Sequence, residues 1–355
     1  MLVSVQALRA VAALSVVLCH FSQAQLILSG HGDDWIPLYS LASGVDLFFV
    51  ISGFIMVHSS EKLFGSPGAP AIFFGRRLSR VVPPYWLATL IALAFAPSVT
   101  WASLAGSLFF VPYVSNPTYG QATPLLGVGW TLNYEMMFYV MFAATLMLPR
   151  KWALAAVGLA LAIMAALGHF GFIDQPTPLR FWCDPIIIEF ALGMAIAIAY
   201  RKSIKLPALA RTLLVLIAVT IIYGFQHHIG GGGMPSNDRL LVWGLPTAMI
   251  FTAGVLGPWP SGHPSIQRAV VALGDASYSM YLIHPLVVTA IITQWAHLSH
   301  FGLPRVLVVG FAVTIILSLL SYRFIERSAM NGLRILNWTQ RPLTVREASV
   351  RSAGS

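Results

Sequence analysis

The chain has 355 residues, of which 57% are hydrophobic and only 9% charged, with a formal net charge of +9. A water-soluble domain carries about 25% charged residues, so this composition excludes a soluble enzyme and points to a polytopic membrane protein. The two cysteines, Cys19 and Cys183, both fall in or beside apolar stretches and supply neither a disulfide framework nor a metal-binding motif.

Ten candidate helices follow in chain order, at 5–25, 41–59, 81–97, 127–148, 152–169, 181–200, 208–225, 239–257, 276–298 and 304–325. Pro/Gly clusters separate them, including Gly65 to Pro70, Pro83-Pro84 and Gly257 to Pro264. The apolar stretch Trp101 to Tyr113 is too short to span and reads as re-entrant or interfacial. The four glycines Gly230 to Gly233 lack the Lys-Ser/Thr of a phosphate loop and read as an outer loop. No internal repeat is evident. The fold class expected is therefore all-α with about ten transmembrane helices. Residues 1–327 form the transmembrane domain, and 328–355 a basic, poorly ordered tail. With the N-terminus in the cytoplasm, 17 Lys and Arg fall on the inner side. Arg180, Arg239 and Arg305 fall on the outer side, and Arg9 lies within the first helix. That bias orients the chain with both termini cytoplasmic.

The first helix carries two ionisable groups, Arg9 and His20. Such groups are costly in hydrocarbon and mark function unless they merely snorkel or pack. Eleven residues bring the helix through about three turns, so the two share a face about 16 Å apart. The second helix carries Asp46. Counting from the outer ends puts His20 and Asp46 at similar depth and predicts a His–Asp pair. The histidine would act as general base or nucleophile; the plainer alternative is a structural salt bridge. Glu135 follows Trp130 in the outer half of its helix. Glu189 lies near mid-membrane, and Tyr281 and His284 lie in the inner half of the ninth. For each of these a structural hydrogen bond competes with a catalytic role. Arg76, Arg77 and Arg80 are expected just before the third helix. Arg77 and Arg80, three apart, present guanidinium forks suited to phosphate, whereas positive-inside anchoring accounts for Arg76.

Five motifs carry a resemblance when taken together. They are Gln6-Ala7-Leu8-Arg9-Ala10 with His20, Gly44 to Phe54, Arg77-Leu78-Ser79-Arg80, Trp130-Thr131-Leu132 with Glu135, and Tyr278 to Pro285. The chain resembles the membrane-bound acyltransferase 3 family, the integral-membrane O-acyltransferases of polysaccharides and glycosides, over nearly its whole length. Phe324-Ile325-Glu326-Arg327 also fits, although Ser328 stands where a proline often follows. The resemblance implies a ten-helix core, acyl-CoA (usually acetyl-CoA) as donor and a sugar hydroxyl as acceptor. The acceptor would be a polysaccharide or lipid-linked oligosaccharide, the setting a bacterial inner membrane, and the polysaccharide assembly machinery a candidate partner. It also implies that His20 is catalytic, that Arg9, Arg77 and Arg80 serve the donor, and that Asp46 supports the site. Neither nucleic acid nor metal is expected. On this reading Ala13, on the face of Arg9, borders the donor channel. The rival from another class is a proton-coupled transporter, since intramembrane Asp, Glu and His also build proton relays. The cytoplasmic arginine pair, which a transporter does not need, argues against it.

Overall fold

A computed structural model describes residues 2–30, 38–96, 98–113, 123–173, 177–225, 236–259 and 263–336. Among these the chain is all-α, with no strand. The helices are α1 Val3–Ser29, α2 Gly44–Ser59, α3 Ala69–Ala92, α4 Trp101–Leu108, α5 Trp130–Thr145, α6 Arg150–His169, α7 Pro178–Trp182 and α8 Ile188–Arg201. They continue with α9 Ala208–Gly224, α10 Ser236–Arg239, α11 Leu245–Val255, α12 Pro264–Asp275, α13 Ser277–Thr293, α14 Trp295–Leu298, α15 Leu303–Ser321 and α16 Arg327–Leu336.

Each of the ten expected spans has a helix at its centre. Among the described residues, however, five helices are long and apolar enough to cross a membrane, or six if the bent pair α12–α13 counts as one. Of the others, α5, α8, α11 and α13 are shortened by local breaks. Tight 3-10 turns precede α5 and α8, and a π turn, Leu240–Gly244, precedes α11. A 65° bend separates α12 from α13. Several apolar helices make this a multi-pass membrane protein.

Two boundaries differ from expectation in ways that bear on the site. First, α3 begins at Ala69, so Arg76, Arg77 and Arg80 lie within the helix. Pro83 and Pro84 were expected to punctuate but also lie inside it. Second, the chain from 328 does not begin as irregular tail, because α16 runs to Leu336. Residues 337–355 and the glycine run 230–233 lie outside the described residues. The stretch expected to be interfacial contains the short α4, started by a Thr100/Ser103 capping box and leaving Trp101 exposed.

Helix α2 is the hub, with 12 of its 16 residues buried. Gly53 lies on the Phe190 carbonyl of α8, and Gly193 of α8 lies on the Val50 carbonyl of α2. A Cβ at either position would strike backbone, so the pair lets two helices approach as small residues do between membrane helices. Helices α6, α9 and α15 turn Leu159, Leu216 and Val308 outward, as helices facing lipid do. Helix ends meet in a consistent way. Glu61 after α2 pairs with Arg201 at the end of α8 and with Arg150 at the start of α6. Arg211 near the start of α9 bonds the Ala253 carbonyl near the end of α11. Gln6 of α1 bonds Asp275 at the end of α12.

Candidate active site

Arg9, Arg77 and Arg80 line a single cavity of about 80 Å³ within the α1–α2–α3–α5–α13 cluster. Glu135, Tyr139, Tyr278 and Tyr281 line it too. The helical periods explain the arrangement. On α5, which runs toward the basic end, Thr131, Glu135 and Tyr139 are four apart and so stack along one face. On α13, which runs the opposite way, Tyr278, Tyr281 and His284 are three apart and do the same.

At the basic end, Arg9 is buried and its Nη1 donates to Gln6 Oε1 at 3.3 Å. Arg77 Nη2 donates to Ser59 Oγ at 2.9 Å, its guanidinium lies 5.6 Å from the Phe73 ring centre, and its buried Nε has no partner. Arg80 Nε lies 3.4 Å from Glu326 Oε1, whose other oxygen accepts from Ser279. Arg76 is exposed and outside the cavity lining, as anchoring alone requires. Three arginines against one lining carboxylate, Glu135, make the cavity electropositive. Glu135 accepts from Tyr139 Oη at 2.9 Å, so it belongs with the arginines and not with the histidines.

The expected His20–Asp46 pair is not the pairing found. Both Asp46 oxygens are taken by Arg239, at 2.9 Å from Nε and 2.8 Å from Nη2. Trp243 and Trp130 lie 4.9 and 5.4 Å from the same guanidinium. The reason is register. A 3-10 turn, Tyr39–Ser43, lengthens the start of α2. Leu38 then meets Ser22, and Gly44 packs on Ala12 and Val16. That places Asp46 well below His20. Glu189, also fully buried, lies within electrostatic reach of Asp46 and Arg239 and against Gly244 on the π turn. Arg239, counted from sequence as an outer-loop charge, thus belongs to the interior. Its signal was its position, directly before the apolar run Leu240-Leu241-Val242-Trp243.

The ring partner of His20 is His284, with centroids 4.9 Å apart. The two were expected in opposite halves, but α13 starts beside the first turns of α1 and runs parallel to it. Each Nδ1 contacts a carbonyl four residues back, Val16 at 2.9 Å for His20 and Met280 at 3.1 Å for His284. A carbonyl only accepts, so each Nδ1 carries the proton and each neutral ring keeps an Nε2 lone pair. His20 is half-buried and His284 fully buried. Two imidazoles of this tautomer can take a proton from a hydroxyl and share it.

A family profile described as an acyltransferase domain matches residues 2–323. The chain belongs to this acyltransferase family. It is 35% identical over 294 residues to the exopolysaccharide production protein ExoZ of Rhizobium meliloti (strain 1021), covering 81% of this chain and 88% of that one. It is 26% identical to the acyltransferase MdmB of Streptomyces mycarofaciens, covering 80% of this chain and 78% of that protein. It is 23% identical to the peptidoglycan O-acetyltransferase OatA of Listeria monocytogenes, covering 80% of this chain and 50% of that protein. No solved structure matches. As an acyltransferase the chain needs an acyl donor and an acceptor. The motifs that carry the resemblance all reach the interior just described.

Proposed function

We propose that the protein moves a short acyl group, acetyl, from acyl-CoA to a sugar hydroxyl of an extracellular polysaccharide or its lipid-linked precursor. The observation that carries this is the alignment of Arg9, Arg77 and Arg80 along one cavity that ends one turn of α13 before the His20–His284 pair. The arginine end suits the phosphates of a coenzyme A thioester, and the unpartnered Arg77 Nε is a donor waiting for an anion. The part lined by Tyr278 and Tyr281 suits a pantetheine arm. Relatives named for exopolysaccharide production and for peptidoglycan O-acetylation favour a glycan acceptor.

His20 Nε2 takes the proton of the sugar hydroxyl as its oxygen attacks the thioester carbonyl. The acyl–sulfur bond breaks, the acyl–oxygen bond forms, and the proton passes to the departing thiolate. His284 orients His20 and shares the proton during transfer. Asp46 does not orient the base; with Arg239 it fixes the frame around it. Donor entry from the cytoplasmic side of an inner membrane follows from the positive-inside assignment of the arginine end.

Purified protein given acetyl-CoA and acceptor glycan should release free thiol in step with glycan ester. His20→Ala should lower that rate by about 10²–10⁴-fold while acetyl-CoA still binds. Near-native turnover in a folded His20→Ala protein would remove the histidine from the chemistry.

A further inference from the structure

Tyr281 stands between the arginine cavity and the histidine pair. It lines the cavity on one side, and on the other its ring centre is 5.8 Å from that of His284. Neither histidine lines the cavity. The phenol is held by a small latch. Its Oη lies 3.0 Å from Thr131 Oγ1 and donates to the Val128 carbonyl at 3.0 Å, and Thr131 Oγ1 contacts the same carbonyl at 3.1 Å. Phe48 closes the ring's flank edge-on at 6.0 Å. Half-buried His20, meanwhile, has access from elsewhere than this cavity. The backbone behind the plug is also loosened. Pro285 lies within α13 four residues after Tyr281, so it has no N–H for the Tyr281 carbonyl. The carbonyl freed there lies within hydrogen-bonding reach of the His284 imidazole, so plug and histidine share one turn.

We propose that Tyr281, latched to Thr131 and Val128 and flanked by Phe48, is a gate that separates the donor cavity from the histidine pair. It admits the acyl end of the donor and otherwise bars water and solutes. A closed gate keeps the thioester from hydrolysis to free acid and thiol until an acceptor is engaged. It also sets the acyl length, because a longer chain must hold the ring aside. The role in catalysis rests on the proposed acyl-CoA reaction, whereas the barrier itself can be tested without it.

The test uses the full-length protein in vesicles, with Cys19→Ser and Cys183→Ser to remove native thiols and His20→Cys as a reporter. A membrane-impermeant anionic methanethiosulfonate, which the arginines attract, is added on the face bearing Arg76. With Tyr281 intact, the reporter should be protected from that face. Tyr281→Phe, which keeps the plug and removes the latch, should raise labelling about fivefold, the worth of one net hydrogen bond. Tyr281→Ala should raise it further. The same labelling rate from that face, fast or slow, with Tyr281 native, Tyr281→Phe and Tyr281→Ala would overturn the gate, whatever the donor is. With His20 restored, Tyr281→Phe should increase acetyl-CoA hydrolysis relative to glycan acylation, which a purely structural tyrosine would not do. An unchanged ratio would overturn the coupling. Absence of acetyl-CoA turnover in the native protein would instead overturn the donor assignment while leaving the labelling result to stand.

Discussion

Arg77 and Arg80 show how much a single side chain's surroundings decide. Both line the cavity, but Arg80 already has a carboxylate partner in Glu326, whereas the Nε of Arg77 is buried without one. A guanidinium with a free buried donor gains most from a phosphate. Arg77→Ala should therefore weaken acetyl-CoA binding by about 10–100-fold, as loss of a charge-assisted hydrogen bond would. Arg77→Lys should recover only part, because the fork is lost. Calorimetric titration with acetyl-CoA and with dephospho-CoA measures both effects. Unchanged affinity in Arg77→Ala would mean that Arg77 does no more than anchor α3. At His284 the expected effect is on the base and not on binding. His284→Ala should lower turnover and leave the acetyl-CoA affinity intact, while His284→Gln, which keeps a polar group beside His20, should recover part. A loss of affinity equal to the loss of turnover would contradict that division.

At the scale of elements, the Asp46–Arg239 pair ties α2 to the π turn before α11. Removing one partner strands a buried charge, which costs about 3–5 kcal/mol. Arg239→Ala should thus lower the melting temperature in detergent sharply. The double variant Arg239→Leu with Asp46→Asn should regain much of the loss, because no lone charge remains. Equal melting of Arg239→Ala and native protein would show that the pair contributes nothing to stability. The same pair marks where sequence reading stopped. Helix positions were legible from hydropathy, Arg9 from the cost of charge in apolar surroundings, and Arg77 with Arg80 from their spacing of three, while their grouping with Arg9 came from the family resemblance. Partner choice was not. It depended on the 3-10 turn Tyr39–Ser43, which shifts Asp46 along α1, and on the bend at Ala276, which brings α13 alongside α1 and puts His284 beside His20. Neither break has a periodic signal. Ala13 was misplaced for a related reason. It shares a helix with Arg9 but is fully buried in a cluster with Met280, Val288 and Val306, against α13 and α15, and does not border the cavity. Ala13→Trp would overpack that contact and would not report on the channel. Ser52, which does line the cavity, is the better place for a bulky block.

At the scale of the whole molecule, the account has a direction. The arginine cavity lies at the end where Arg9, Arg77, Arg80 and Glu326 gather, and His20 lies further along α1, about 16 Å from Arg9. Acetyl-CoA is too highly charged to cross a bilayer unaided. Donor and acceptor should therefore meet through the protein, each from its own side. The most direct test is acyl transfer in sealed vesicles of one defined orientation. Radiolabelled acetyl-CoA supplied only on the face bearing Arg76 should acylate a glycan acceptor held only on the opposite face, with the free coenzyme staying on the side where the donor was added. Acylation that occurs only when donor and acceptor share one face would contradict transfer across the membrane.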